Sequence, residues 1–358
     1  MEHLAEVPEP RTGHYIAHPL TEILVIAVCA IFAGAESFVE VVEWAEVKEA
    51  WLRRFLPLKN GIPSHDTVNR VFRLLDPQQF EEAFRSWTQG QLGSFQQVAI
   101  DGKCLRGSAR GQHNPVHMVS AFATELGLAL GQEKVADKSN EITAIPALLA
   151  SLDVKGCLVS LDAMGCQKEV AKNIVEGEAD YLLAVKQNQP KLRQAVLCAL
   201  MDQPTERVTS TQAGHGRTVL QQIVRAPAEG FIDATVWTGC KMVGRVDSMR
   251  LDDNGWSVME QRYYLSSREL SAEELSHAVR RHWAIENGLH WCLDVIFRED
   301  QCRLSEDHGP QNFALLLKFA LNLLRSSPFQ AKKSMRVRRK RAGWDDDALA
   351  ELLGMSPL

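Results

Sequence analysis

The sequence predicts an α/β protein: a mixed-sheet core, an all-helical region ahead of it and a β-rich insertion within it. Three observations lead there. Apolar residues recur at helical spacing through about residue 93, then give way to short apolar runs alternating with helical stretches. Two of those runs, Val98-Ala99-Ile100 and the one closing on Ser160-Leu161, each end in an aspartate, Asp101 and Asp162. Residues 205–268 break the alternation with several strand-like pieces in succession.

The elements follow in order. Residues 20–35 form an apolar helix; its apolar run is short of the ~20 residues that cross a bilayer and lies well inside the chain, so it reads as a buried helix. Residues 37–56 are amphipathic, with Phe38, Val41, Val42, Trp44 and Trp51 at repeating positions. Gly61-Ile62-Pro63-Ser64 supplies a turn and an N-cap signal for a helix over 68–75, and Asp76-Pro77 opens the next, through Phe80, Phe84 and Trp87. Two short helices at a tight turn read either as a helix-turn-helix or as packing helices. Residues 98–101 read as a strand, and 117–124 with 128–135 as a hairpin turning at Glu125 and Gly127. Then come a helix over 142–152, a strand over 157–162, a helix over 167–177, a strand over 181–185 and a helix over 190–201. Strand, hairpin, helix, strand, helix, strand, helix is the order of a ribonuclease-H-like sheet: three antiparallel strands, then parallel additions by crossover.

The insertion offers candidate strands over 219–224, 234–237, 241–246, 256–259 and 262–265. One long helix is expected over 271–297, opened by a capping box of Ser271 and Glu274, and another over 312–325. Residues 332–341 hold seven Lys or Arg in ten and are expected to be disordered when free; a short helix is expected over 345–353. The expected division is a helical region over 1–93, a sheet domain over 94–325 and a basic tail over 326–358.

With 358 residues and a net charge of −5, the total charge does not announce a polyanion partner, but the run at 332–341 and the pair Arg280 and Arg281 are locally basic. The eight cysteines are scattered without a C-x-x-C pair, which argues against a zinc knuckle or a disulfide framework and for free thiols in a reducing cytoplasm. No secretory signal is visible.

Asp101 and Asp162 at neighbouring strand ends, with Glu286 on a helix, can hold two divalent metals about 4 Å apart, the arrangement that clamps attacking and leaving oxygens at phosphorus. Carboxylates suit hard ions such as Mg²⁺. Read singly, the aspartates can be turn-capping acids, and Glu286 a solvated residue paired with Arg280 or Arg281. Asp294 is a candidate supporting carboxylate. His282, Glu286 and His290 at i, i+4 and i+8 resemble a zinc set, but at ~1.5 Å per residue they spread over about 12 Å, too far for one ion. Lys103 can hold a phosphate or pair with an acid. Cys166 reads as a buried helix residue, and Trp237 as a cross-strand packing residue rather than a base-stacking one.

These residues fall in longer motifs. Ala99-Ile100-Asp101-Gly102-Lys103, then Lys138-Ser139-Asn140-Glu141-Ile142, Asp162-Ala163-Met164-Gly165 and His282-Trp283-Ala284-Ile285-Glu286-Asn287 with His290-Trp291 together resemble the ISAs1 family of bacterial DDE transposases, the group of the H-repeat-associated proteins. The resemblance runs from about residue 10 to 325. It implies a ribonuclease-H-like core, with Asp101, Asp162 and Glu286 as catalytic metal ligands for two Mg²⁺ or Mn²⁺ ions per site. It implies a DNA transposase that cuts the terminal inverted repeats of its element and joins them to target DNA. It implies work as a homodimer or larger assembly on DNA, away from any membrane, in the bacterial cytoplasm. Wider relatives carry Tyr-x2-Arg-x3-Glu-x6-Lys around the glutamate, where this chain has Val279, His282, Glu286 and Leu293. His282 stands in the arginine's place. Lys103, Arg280, Arg281 and His282 are the residues expected to touch DNA. Gly214-His215-Gly216-Arg217 resembles the family's basic turn. The alternative classes are a repurposed DNA-binding protein without cleavage and a nuclease acting on RNA–DNA hybrids.

Overall fold

A computed structural model describes residues 2–13, 15–109, 114–136, 140–214, 217–252, 255–256 and 260–355. Lys138, Ser139, His215, Gly216 and positions 257–259 of an expected strand lie outside the described residues.

The N-terminal region is helical: α1 (Glu2–Ala5), α2 (Leu20–Ala33), α3 (Phe38–Val47), α4 (Glu49–Leu52), α5 (His65–Leu74) and α6 (Pro77–Gln89). The starts of α5 and α6 are capped as the sequence predicts, and that of α3 is capped too. Ser37 accepts from the Glu40 N–H, Ser64 from that of Thr67, and Asp76 from those of Gln78 and Gln79. Gly34, at φ 115°, closes α2. α2 is apolar around its whole circumference and buries every residue but Thr21 and Ala33, as a helix without a polar face must. α5 and α6 each bury one face in the same core.

The sheet begins with β1 (Gln97–Leu105), β2 (Val116–Ala123) and β3 (Leu128–Lys134). α7 (Glu141–Ala150) crosses to β4 (Leu158–Leu161), α8 (Lys168–Glu176) to β5 (Asp180–Val185), and α9 (Pro190–Asp202) follows. The insertion contributes β6 (Glu206–Gly214), β7 (Arg217–Pro227), β8 (Met242–Asp252), β9 (Gly255–Trp256) and β10 (Glu260–Ser266). The spatial order β3-β2-β1-β4-β5, with β4 parallel to β1 and β5, is ribonuclease-H-like. β10 pairs antiparallel with both β5 and β8, so the insertion continues the central sheet to ten strands.

Two expectations for the insertion change. The strand expected over 234–237 is a turn, because Asp233 accepts from the Thr235 backbone and hydroxyl and its carbonyl accepts from Trp237 N. β6 was not expected: Thr, Ser, Gln and charged residues dominate it, so it offers no apolar alternation to read.

After α10 (Ala272–His282), opened by the expected Ser271–Glu274 capping box, the helical path widens into two π-helical stretches, Ile285–His290 and Cys292–Ile296. The expected uniform helix is therefore interrupted where Glu286 sits. The chain closes with α11 (Gly309–Ser326), α12 (Met335–Trp344) and α13 (Asp346–Leu353).

α12 overturns the expectation of a disordered basic run. Ser334 caps it, and two of its arginines point inward. Arg338 donates to the carbonyls of Phe329 and Ser327, both at 2.7 Å. Arg339 donates to Ile31 O at 2.6 Å and to Ile296 O, and lies over the Phe297 ring. Ile31 lies in the last turn of α2, where its carbonyl also accepts from the Gly34 N–H, and Ile296 ends its π-helical stretch, so the arginine adds a charged donor where helix-end carbonyls run short of them. Gly343 lets α12 approach α2, since a Cβ there would stand 2.7 Å from Ala33 Cα.

The sheet separates two cores. Val98 and Ile100 face the core lined by α7, α8 and α9, whereas Ala99 faces the helical core shared by α2, α11 and the stretch around Ile285 and Leu289. By the period of two, Asp101 faces the side of Ala99.

Candidate active site

The β1–β4 ladder ends at the pair Ile100 and Leu161, which sets Asp101 and Asp162 side by side one residue beyond it. Asp162 follows the end of β4. Asp101 departs from its expected strand-end position: β1 runs on to Leu105 against β2, and it is the β4 edge that opens at Asp101.

Asp162 is held by its own loop, its Oδ1 accepting from the N–H groups of Met164 (2.9 Å) and Gly165 (3.2 Å). That loop is tied to the turn after β5, where Asn188 donates to Ala163 O (2.8 Å) and Gln189 to Cys166 O (3.1 Å). Glu286 arrives from the π-helical stretch, a feature that recurs at functional positions in helices. One turn on, buried His290 places Nδ1 3.2 Å from Glu286 Oε2 and 3.6 Å from Asp101 Oδ2. Donor atoms of Asp101, Glu286 and His290 all lie within 4.8 Å of one another.

All three acids line one cleft of about 700 Å³. Lys186, Arg193, Arg262 and Trp283 line it too, Arg262 lying 4.3 Å from the Trp283 ring centroid. Among the described residues, no Lys or Arg comes within ion-pair distance of Asp101, Asp162 or Glu286. Burial first, then the charge of Asp162, pushes the Asp101 carboxyl up to about 7. Burial and Asp162 also raise Glu141, whose carboxylate occupies the space a Cβ on Gly102 would take. This crowded oxygen set, without a Lys or Arg partner among the described residues, fits a divalent cation, which would offset the charge that burial disfavours.

The other expected site residues are distributed differently. His282 lines the cleft, with Nδ1 3.1 Å from Ser160 Oγ; burial pushes it down to about 4, against the pull of Asp162, so the ring is neutral at pH 7. Lys103, Arg280 and Arg281 are not among the lining residues. Lys103 is held by Asp294 and Glu299, the acid-pairing alternative, which also gives Asp294 its partner. Arg281 pairs with Glu125 at 2.9 Å. Trp237 and Cys166 are buried, but Trp237 packs from a turn rather than across a strand pair and Cys166 lies in the loop before α8 rather than in a helix. Sequence reasoning missed Lys186, Arg193, Arg262 and Glu141 as neighbours of the acids. The spacing of Glu286 and His290 was visible, but the third donor comes from the sheet.

Comparison with known proteins finds matches along the whole chain. The family described as "DDE_Tnp_1-associated" matches residues 1–88, and that described as "Transposase DDE domain" matches residues 93–323. "H repeat-associated putative transposase YhhI" of Escherichia coli (strain K12) is 36% identical over 372 residues, covering 100% of this chain and 98% of the relative. "Putative transposase YncI" of Escherichia coli O157:H7 is 37% identical over 366 residues, covering 99% and 94%. A cryo-EM structure of piggyBac transposase in a synaptic complex with hairpin DNA aligns with TM-score 0.47 and 11% identity, over 99% of this chain and 76% of that one. By these matches over its length, the chain belongs to the transposase DDE domain family.

Proposed function

We propose that the chain is a metal-dependent DNA transposase that cuts the ends of its own insertion sequence and joins them to target DNA. The observation that carries the reading is the convergence of Asp101, Asp162 and Glu286 on one cleft, with no Lys or Arg among the described residues at ion-pair distance from them. Mg²⁺ or Mn²⁺ bound to these carboxylates would supply positive charge against the phosphorus and its attacking and leaving oxygens. Asp101 and Asp162, adjacent by register, hold one side of the site, and Glu286 holds the other. In the first step a water oxygen bonds to phosphorus, the P–O3′ bond breaks and a free 3′-hydroxyl is left at the element end. In the second, that hydroxyl attacks a target phosphodiester and displaces the target's own 3′-oxygen. Lys186 and Arg193, on the cleft wall, are suited to gripping the strand through its phosphates. In the tautomer that carries its proton on Nε2, neutral His282 would offer a phosphate oxygen a hydrogen bond rather than the ion pair of an arginine. The partners in this reading are the inverted repeats, target DNA and a second copy of the chain, in the bacterial cytoplasm. The division at about residue 93 is supported by the two family matches, which meet there.

The test is cleavage of a plasmid carrying the gene's flanking inverted repeats, with purified protein and Mg²⁺ or Mn²⁺, beside Asp162→Ala. Cutting at the repeat ends that disappears in the variant is expected. Specific binding without cutting under either metal would instead identify a DNA-binding protein that has lost cleavage.

A further inference from the structure

Glu286 and His290 stand one helical turn apart, the i, i+4 spacing that lets two side chains on one helix reach a single ion. The imidazole is fixed rather than sampled: its side chain is 5% exposed, and its Nδ1 faces both Glu286 Oε2 (3.2 Å) and Asp101 Oδ2 (3.6 Å). Ligands at about 2.1 Å from one octahedral ion stand roughly 3 Å apart when adjacent, so these separations suit a shared ion. Among the described residues the ring makes no other hydrogen bond, its Nε2 having no partner. The nearby cation, Lys103, is engaged by Asp294 and Glu299 and does not serve the pair. A hydrogen bond from Nδ1–H could satisfy only one of the two carboxylates it faces.

We propose that His290 Nδ1 directly ligates the divalent ion shared by Asp101 and Glu286, making that position a mixed nitrogen–oxygen site that favours Mn²⁺ over Mg²⁺. The position between Asp101 and Asp162 would draw on their carboxylates, since the nearby His282 ring has Nδ1 engaged at 3.1 Å by Ser160 Oγ. The two ions of the proposed function, on which this inference rests, are then chemically unlike. Imidazole suits transition metals, whereas Mg²⁺ prefers oxygen and dehydrates reluctantly.

The test is nitrogen coupling to bound Mn²⁺, read by electron spin-echo modulation on the full chain with Mn²⁺ alone. Expected is a ¹⁴N coupling in the wild type that changes to a ¹⁵N pattern when the histidines are ¹⁵N-labelled. It should vanish in His290→Ala and persist in His282→Asn. Mn²⁺ affinity should fall at least about ten-fold in His290→Ala, by more than Mg²⁺ affinity does. Should His290→Ala fail to fold, His290→Asn decides in its place, since the amide keeps much of the ring's volume while removing the imidazole nitrogen. Mn²⁺ bound without histidine coupling overturns the assignment of His290 as a ligand while the plasmid assay for transposition stands apart. Failure of Mn²⁺ to bind overturns this inference and the metal-dependent function together.

Discussion

Asp101 carries the tension of the site in a single side chain. It is mostly buried, beside Asp162 and near Glu141 and Glu286, and among the described residues the basic side chain within reach is the His290 imidazole rather than a Lys or Arg. Divalent metal should therefore stabilise the fold, by about 2.7 kcal/mol at a hundred-fold excess over Kd. Calorimetry of the wild type should show melting rise with Mn²⁺. Asp101→Asn should melt higher than the wild type in chelator and lose the metal response; a variant that still responds would remove Asp101 from the ligand set. The three acids were legible in the sequence because each closes or sits within a distinctive run of residues. Lys103 was not settled by its position two residues after Asp101, because its partners Asp294 and Glu299 lie almost two hundred residues away and only packing brings them together. His290 was weighed along one helix, where three ligands spread too far. Its relevant neighbour is on β1, across the interface between helix and sheet.

Among the elements, periodicity located most helices and strands but failed where the buried stripe was not apolar. α12 turns Arg338 and Arg339 inward, and no hydrophobicity pattern reveals a helix face made of arginines. β6 lies at the edge of the sheet with few apolar residues. The α6–β3 contact offers a test of charge buried between elements. Glu81 on α6 is buried, and its carboxylate accepts from Gln132 N in β3 at 2.8 Å. Burial pushes it up to about 7 from 4.5, against the pull of that hydrogen bond and of Arg85 and Lys318. Its contribution to stability is therefore fully present below about pH 4.5 and is lost as pH rises through about 7. Melting temperature should fall between about pH 4.5 and pH 7 and level off above, and fall less steeply in Glu81→Gln. Parallel profiles for the two proteins would show that Glu81 does not titrate in that window.

At the scale of the molecule, the two ends of the chain share one core. α2 and α3 near the start, α11 to α13 at the end and one face of the sheet form a single apolar cluster. The sequence showed the sheet order and the helical start, but not that the C-terminal helices close over the N-terminal ones; that join is made by Arg339 and by the gap left at Gly343. Arg339→Met should leave the Ile31 and Ile296 carbonyls without that donor and cost about 2–4 kcal/mol. Urea unfolding should show this as an earlier midpoint with the same slope, and hydrogen exchange should rise at the end of α2. Unchanged protection there would mean that the arginine is not what holds α12 in place. The full burial of α2 also has a consequence for biosynthesis. α2 leaves the ribosome early and α12 nearly last, a wait on the order of 15–60 s at about 5–20 residues per second. Throughout it, a helix with no polar face has part of its final cover still untranslated. A reading frame cut short before α12 thus yields a chain with a greasy helix open to chaperones and proteases, and such gene copies should be silent through loss of the product as well as loss of chemistry.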